Sequence, residues 1–400
     1  MRLYLVAGLV AAAVSFGFSL VILRLSRRFR LYAQIRDRDV HTTPTPRLGG
    51  VAMFLGIVFA FALGSQFSHF GFLGSASGLG RFDLIFSEPW HILGLLAASL
   101  LIVVMGVIDD LFDLEWWTKL AGQAIAGGIL AWSGFQIYTI PLYRQIVILP
   151  SVLSLAITVI LVVLVMNAVN FIDGLDGLVA GVAIIANGVF FVYCYLLTTY
   201  VGNTDYFNLA ALISVVLIGA CVGFLPVNFR PAKMFMGDSG ALLVGLLMAA
   251  SALSVTGQAD VESWSGGQLF AGLMPILLPF AILLLPVLDF CLAIVRRLRA
   301  GRSPFSADRK HLHHRLLDLG HSHLQAVLIF YGWTAVIAVG SLLFVFLAWY
   351  IAAPILVAGV LACAIATVVP LLRRRPSLDP ADEARAPDAA AAIDSKDFSI

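Results

Sequence analysis

Long apolar runs separated by short polar segments set the pattern of the chain. Ten stretches of at least 20 residues contain no Asp, Glu, Lys or Arg: 3–23, 48–80, 89–108, 120–143, 145–172, 177–204, 206–229, 239–259, 263–288 and 319–372. A hydrocarbon core of ~30 Å is crossed by ~20 helical residues, so each stretch is long enough to span a membrane. The last, 54 residues long, fits two crossings with a turn near Tyr350 and Pro354, which makes eleven predicted spans. Backbone groups cannot go unsatisfied in lipid, and the runs lack the ~10-residue alternation of barrel strands, so the spans are predicted as helices. The predicted class is all-α: a polytopic integral membrane protein with a membrane domain over 1–372 and a tail over 373–400. The first run is longer than a signal-peptide core and has only Arg2 before it, so it reads as an uncleaved helix.

Composition agrees with this and excludes a water-soluble globule. Hydrophobic residues make up 60% of the 400 positions and charged residues 12%, about half the share in soluble domains. Cys194, Cys221, Cys291 and Cys363 lie in or beside predicted spans and read as apolar packing residues, with no disulfide framework. The tail changes abruptly to Ala, Pro, Asp and Arg and is predicted to be disordered, with Arg373, Arg374 and Arg375 resting on anionic headgroups.

Charge placement adds an orientation. With alternate loops on opposite sides, Arg2, Arg81 and Arg144 fall on one side and the other 22 Lys and Arg on the opposite side. The positive-inside rule then puts the N-terminus outside and the C-terminus in the cytoplasm. The acids are under no such rule, yet outside the tail twelve of them sit at the predicted cytoplasmic helix ends and loops. Acids and bases crowding one membrane face indicate a one-sided polar site, because ionisable groups at membrane depth are costly.

Four segments carry most of the candidate chemistry. In IDDLFDLE, Asp109 and Asp110 leave the membrane at a helix C-terminus, where the dipole is already negative; a divalent cation, Lys119 or a raised pKa would offset them, and a solvated acidic turn is the alternative reading. Lys119 and Gln123 lie one turn apart at the start of the next span, although snorkelling also accounts for a lysine there. In NAVNFIDGLDGLVAG, Asn167, Asn170, Asp173 and Asp176 recur at i, i+3 and share one face of any helical turn. Such a face offers hard oxygens to Mg²⁺ or hydrogen bonds to a sugar or base. In PVNFRPAKMFMGDSGALLVG, a Gly-rich helix start suits phosphate, and Asp238 reads as a Mg²⁺ ligand or as a helix cap with Ser239, while Phe235 could stack on a base. Residues 296–324 hold seven Lys and Arg and five of the eight histidines; His311, His313 and His314 are too closely set for a zinc HExxH motif and suit a phosphate or pyrophosphate. Asp289 reads either as an intrahelical structural partner of Arg296 or Arg297 or as a catalytic acid. His41 and Arg47 precede a Gly pair in the first loop.

Together these segments resemble the polyprenyl-phosphate N-acetylhexosamine-1-phosphate transferase family. The resemblance covers 1–372 and rests on HTTPTPRLGG (41–50), DDLFD (109–113), NAVNFIDGLDGL (167–178), NFRPAKMFMGDSG (228–240) and HLHHR (311–315). The HLHH form and the DDxxD spacing resemble the branch that uses UDP-N-acetylglucosamine, rather than the muramoyl-pentapeptide branch with its triple His and first-loop Lys. Arg47 stands near that Lys position, so no lysine contact carries over. The loops also look actinobacterial, which implies decaprenyl phosphate as acceptor and the linker of arabinogalactan as product.

The resemblance implies transfer of a sugar 1-phosphate from a UDP-sugar to a polyprenyl phosphate with release of UMP, using Mg²⁺ or Mn²⁺. It implies that Asn170 and Asp238 hold the metal on the diphosphate, that Lys119 contacts phosphates, and that Asp176 and Phe235 meet the uracil. His311, His313 and His314 with Arg315 would meet phosphates or sugar, and Asp109 and Asp110 the lipid phosphate. Asp173 joins the catalytic candidates, and Asn167, Asn228, His41 and Arg47 the substrate-binding ones. The implied partners are UDP-N-acetylglucosamine, polyprenyl phosphate and membrane lipids, with no nucleic acid and with a homodimer allowed for. A secondary transporter is the competing class, but it would place its site near the midplane between two repeats, and no repeat of DDLFD or NFIDGLDG occurs.

Overall fold

The structure is a computed structural model that describes residues 1–29, 45–70, 85–86, 89–142, 145–200, 205–256, 284–299, 301 and 312–373. In chain order the elements are α1 (Arg2–Phe29), α2 (Gly49–Phe70), α3 (Pro89–Phe112), α4 (Trp116–Trp132), β1 (Thr139–Leu142), β2 (Gln145–Ile148), α5 (Ser151–Ile172), α6 (Leu178–Tyr200), α7 (Asp205–Asn228), α8 (Gly237–Thr256), α9 (Leu284–Arg299), α10 (Leu312–Asp318), α11 (His323–Phe346) and α12 (Trp349–Arg373). The molecule is an all-α polytopic membrane protein. Nine of these helices are long and apolar enough to cross a membrane among the described residues. α4 occupies the predicted fourth span at 17 residues. Most of the predicted span 263–288 and the tail 374–400 lie outside the described residues.

Two details differ from the sequence pattern. The stretch 120–143 does not stay helical to its end: after Trp132 the chain forms an antiparallel hairpin, with Thr139 opposite Ile148 and Leu142 opposite Gln145. Its β-branched residues in TIPL and QIVI favour that pairing over a longer helix. The turn between the last two spans lies between Phe346 and Trp349, so Tyr350 and Pro354 belong to the start of α12. The turn comes earlier because α11 ends where Leu347 leaves the helix with extended backbone, its N–H donating to Leu343 O.

α8 occupies the centre, packed against α2, α3, α5 and α7, while α1 closes the far side of α2 and α7. α7 and α8 are apolar all round because protein surrounds them, whereas α12 is exposed along almost its whole length and faces lipid. Lipid tails are as apolar as leucine, so helix association in a membrane depends on close packing and interhelical hydrogen bonds. Both are present: Gly245 of α8 passes Met166 of α5 with no room between them, Ser15 Oγ donates to Ala220 O at 2.9 Å, and Tyr4 Oη donates to Asn208 Oδ1 at 2.9 Å. This packing brings the C-termini of α3 and α5 and the N-termini of α2, α4 and α8 to one end of the bundle, with the β1–β2 hairpin at the other.

A Cβ at Gly245 would sit 2.6 Å from the Met166 Cα, a backbone atom that cannot rotate away. Gly245→Val is therefore expected to lower the thermal midpoint in detergent, at a cost of about 1–3 kcal/mol. Gly128→Ala, where a Cβ meets nothing within 4 Å, should leave the midpoint unchanged or raise it.

Candidate active site

α3 runs out of its apolar stretch into Asp109 and Asp110, which stay buried at 2% and 8% exposure. The helix stops after Phe112, and Asp113 takes a left-handed φ of 54° that turns the chain into α4. Asp109 closes this turn, its Oδ1 accepting from the Leu114 N–H at 2.9 Å and its backbone carbonyl from Asp113 N–H at 2.9 Å. The turn sets Lys119, in the first turn of α4, against the acids. Lys119 Nζ lies 2.6 Å from Asp109 Oδ2 and 3.5 Å from Asp238 Oδ2. Carboxylates from α3 and α8, 129 positions apart, thus share one ammonium group. The Asp110 Oδ2 is buried and makes no hydrogen bond among the described residues.

The first loop enters the same place. Phe235 N–H donates to Pro46 O at 2.9 Å, Gly49 N–H to Phe235 O at 3.1 Å and Gly50 N–H to Met236 O at 3.2 Å. These bonds lace segment 46–50 to the strand-like approach to α8 and bring Arg47 with it. The charges of Arg47 and Asp238 act on both Asp110 and Asp173. Asp173 stands just past the end of α5; removal from solvent pushes its carboxyl up to about 7, with Asp238 and then Asp176 adding to the rise and Arg47 opposing it. Asn170, the last polar residue of α5, is half-buried one turn earlier, and its backbone carbonyl accepts from Asp173 N–H at 3.2 Å.

The remaining members of the i, i+3 series are engaged with protein. Asn167 Nδ2 donates to Gln123 Oε1 at 2.5 Å and to Val163 O at 2.8 Å, which joins α4 to α5 directly above Lys119. Asp176 Oδ2 accepts from Ala232 N–H at 3.1 Å. Asn228 uses both ends of its amide on backbone, accepting from Gly177 N–H at 3.0 Å and donating to Met234 O at 3.1 Å, so it braces the two loops beside the site. Phe235 is half-buried, fixed through its own backbone.

The structure brings Asp109, Asp110, Lys119, Asp173, Asp238 and Arg47 together and places Asn167, Asn170, Asp176, Asn228 and Phe235 on the segments beside them. His41 and His311 lie outside the described residues. His313 and His314 belong to α10, which packs on α11, and Arg315 beside them is exposed. Sequence reasoning did not single out Tyr331, whose hydroxyl donates to Gly177 O at 2.6 Å, nor the link from Gln123 to Asn167. A polar residue within an apolar run was the available signal for each. Among the described residues no three His, Cys, Asp or Glu side chains converge as a ready metal cage. What converges is a set of buried and half-buried carboxylates with a lysine, an arginine and a helix N-terminus, an arrangement suited to polyanions whose charge is cancelled on arrival.

A family model described as "Glycosyl transferase family 4" matches residues 92–256, the part that holds the acid cluster. The decaprenyl-phosphate N-acetylglucosaminephosphotransferase of Mycobacterium tuberculosis is 41% identical over 371 residues, 92% of this chain and 89% of that protein. The enzyme of the same name from Mycolicibacterium smegmatis is 40% identical over 372 residues, 92% and 89% of the two chains. A probable undecaprenyl-phosphate N-acetylglucosaminyl 1-phosphate transferase of Bacillus subtilis is 28% identical over 314 residues, 78% and 76% of the two chains.

Removing the shared ammonium should leave the buried Asp109 carboxylate beside Asp238 without its 2.6 Å ion pair. Lys119→Met is expected to lower the thermal midpoint, and Asp109→Asn added to it should restore much of the loss, with a coupling of about 0.5–3 kcal/mol. Simple additivity of the two changes in a double-mutant cycle would refute the pairing.

Proposed function

The chain belongs to glycosyl transferase family 4, and from that premise we propose that it transfers N-acetylglucosamine 1-phosphate from UDP-N-acetylglucosamine to a polyprenyl phosphate, releasing UMP. The gathering of Asp109, Asp110, Lys119, Asp173 and Asp238 at abutting helix ends is the observation that carries this reading. Decaprenyl phosphate is the proposed acceptor, and the lipid-linked sugar begins a cell-wall polysaccharide, the arabinogalactan linker. Basic residues concentrate on the loops at the site's end, which supports a cytoplasmic site where nucleotide sugars are made, in a cell membrane crossed with the N-terminus outside.

The residues fit a divalent cation. Mg²⁺ needs no all-protein cage; it takes one or two carboxylates and keeps water and substrate phosphate oxygens for the rest of its shell. Asp238 and Asn170 would hold it, and the buried Asp110 Oδ2, with no hydrogen bond among the described residues, is a further hard oxygen at hand. When bound, Mg²⁺ or Mn²⁺ supplies charge neutralisation on the diphosphate of the donor.

The chemistry joins two anions. An oxygen of the lipid phosphate attacks the sugar-bearing phosphorus of the donor, a new phosphoanhydride bond forms, and the bond to the UMP oxygen breaks. A lipid phosphate has a second pKa of about 6 by analogy with phosphoserine, so at neutral pH it is mostly dianionic and needs little base. Asp173, with a carboxyl near 7, takes the proton of the monoanionic fraction. Lys119, held by Asp109, offsets charge on the transferring phosphates, and Asp109 and Asp110 face the lipid phosphate. Asp176 and Phe235, tied to the 227–236 segment, meet the uracil, while His313, His314 and Arg315 on α10, together with His311, meet phosphate or sugar. No enzyme-bound intermediate is needed.

Purified protein given UDP-N-acetylglucosamine, a polyprenyl phosphate and Mg²⁺ should release UMP in step with lipid-linked sugar. Asp238→Asn should slow this by about 100-fold or more, and a chelator should stop it until Mg²⁺ is restored. No UMP from UDP-N-acetylglucosamine while another UDP-HexNAc reacts would move the donor assignment. Solute flux into vesicles without UMP would replace the enzyme reading with a transporter.

A further inference from the structure

Gly177 lies in the turn between α5 and α6 with a φ of 75°, a left-handed conformation in which any side chain is strained. Both peptide planes that flank it are held by side chains from elsewhere in the fold. Its N–H donates to Asn228 Oδ1 at the end of α7, 3.0 Å away, and its C=O accepts from Tyr331 Oη of α11, 2.6 Å away. The residue before it, Asp176, is tied in turn to the Ala232 N–H. Three tertiary hydrogen bonds therefore converge on two consecutive residues of a short turn.

Tyr331 comes from a helix that lies outside the ring around α8. α11 packs on α6 and α12 and is anchored at its start by a capping box, in which Ser322 and Gln325 bond each other's backbone. The Tyr331 ring lies directly over Gly181 of α6, leaving no room for a Cβ there. Packing on Gly181 needs only the ring. The hydroxyl adds a second, directed bond to the Gly177 carbonyl, which also accepts the first helical bond of α6 from the Gly181 N–H at 3.0 Å. Such a bond fixes the tilt of the 177–178 peptide, and with Asn228 holding the 176–177 peptide the turn has one orientation.

We infer that Tyr331 is a positioning residue for the donor site, acting through Gly177 to set where Asp173 and Asp176 stand relative to Asp238. The inference rests on the proposal that Asp176 meets the uracil of the nucleotide sugar. Because α11 follows directly on α10, the same tyrosine also ties the helix that bears His313 and His314 to the turn that bears Asp176. Tyr331 touches neither substrate in this account; its effect is read through the turn.

The test uses the full chain purified in detergent and compares Tyr331→Phe, Gly181→Ala and Asp176→Asn in steady-state UMP release. Tyr331→Phe keeps the ring and removes the bond, and is expected to raise KM for UDP-N-acetylglucosamine roughly 3–10-fold, the loss of one hydrogen bond. KM for polyprenyl phosphate should not move, and the thermal midpoint should fall only slightly, as the loss of one hydrogen bond requires. Gly181→Ala, which displaces the ring, should shift donor KM in the same direction. An unchanged donor KM in Tyr331→Phe, or equal rises in both KM values with a large fall in the midpoint, would overturn the inference. Asp176→Asn separates the two layers: if it raises donor KM while Tyr331→Phe does not, the positioning role alone fails. If neither raises donor KM, the assignment of Asp176 to the nucleotide fails and takes the positioning role with it.

Discussion

Asp109, Asp110, Asp173 and Asp238 stand on three converging helix ends, and their mutual repulsion is the constraint around which this end of the molecule is built. Like charges a few ångströms apart are screened weakly where water is scarce. The C-terminus of α3 makes matters worse for Asp109 and Asp110, whereas the N-terminus of α8 favours Asp238. Lys119, shared between Asp109 and Asp238, and Arg47, acting on Asp110 and Asp173, supply the offset. Among the described residues, these two cations face four carboxylates. The residual negative charge makes the site attractive to a divalent cation and leaves it ready for the phosphates that such a cation brings.

The apolar part of the bundle makes this concentration of charge tolerable. α8 is enclosed by α2, α3, α5 and α7, which fixes the place of its first turn and of Asp238, whose side chain stays partly open to solvent. Close approach is built from small residues: Gly245 lies against Met166, and Gly106 of α3 against the backbone of Ser239. The segment 46–50 is then laced to residues 235–236 by three backbone hydrogen bonds, which leave Arg47 little freedom to move away. Rigidity in the membrane and reactivity at its edge are therefore one property. The packing that holds α3, α5 and α8 together also holds their carboxylates in place.

Much of this was legible in the sequence because membrane insertion writes itself locally. Runs such as 89–108 and 239–259 have one physical solution, and the acids that interrupt them mark helix ends without any tertiary information. Asp109, Lys119 and Asp238 could be named from dipole and charge arguments alone, although their distances could not. The hairpin after Trp132 was not legible, since a charge-free stretch cannot tell a helix from a short apolar β-pair. Asn228 read as a substrate residue from its motif, yet its amide is engaged by Gly177 and Met234. Tyr331 carried only a weak local signal, a hydroxyl within an apolar run; its partner is 154 residues away, and a tyrosine in an apolar helix looks like any aromatic packing residue.

Carboxylate charge left unneutralised at these helix ends must appear as affinity for a divalent cation. Mn²⁺ bound in the presence of UDP-N-acetylglucosamine can be followed by electron paramagnetic resonance of the purified full chain. The wild-type protein is expected to hold Mn²⁺ with its donor, and Asp238→Asn to bind it at least about 10-fold more weakly, as loss of a carboxylate ligand requires. Equal Mn²⁺ affinity in the two proteins would contradict the account.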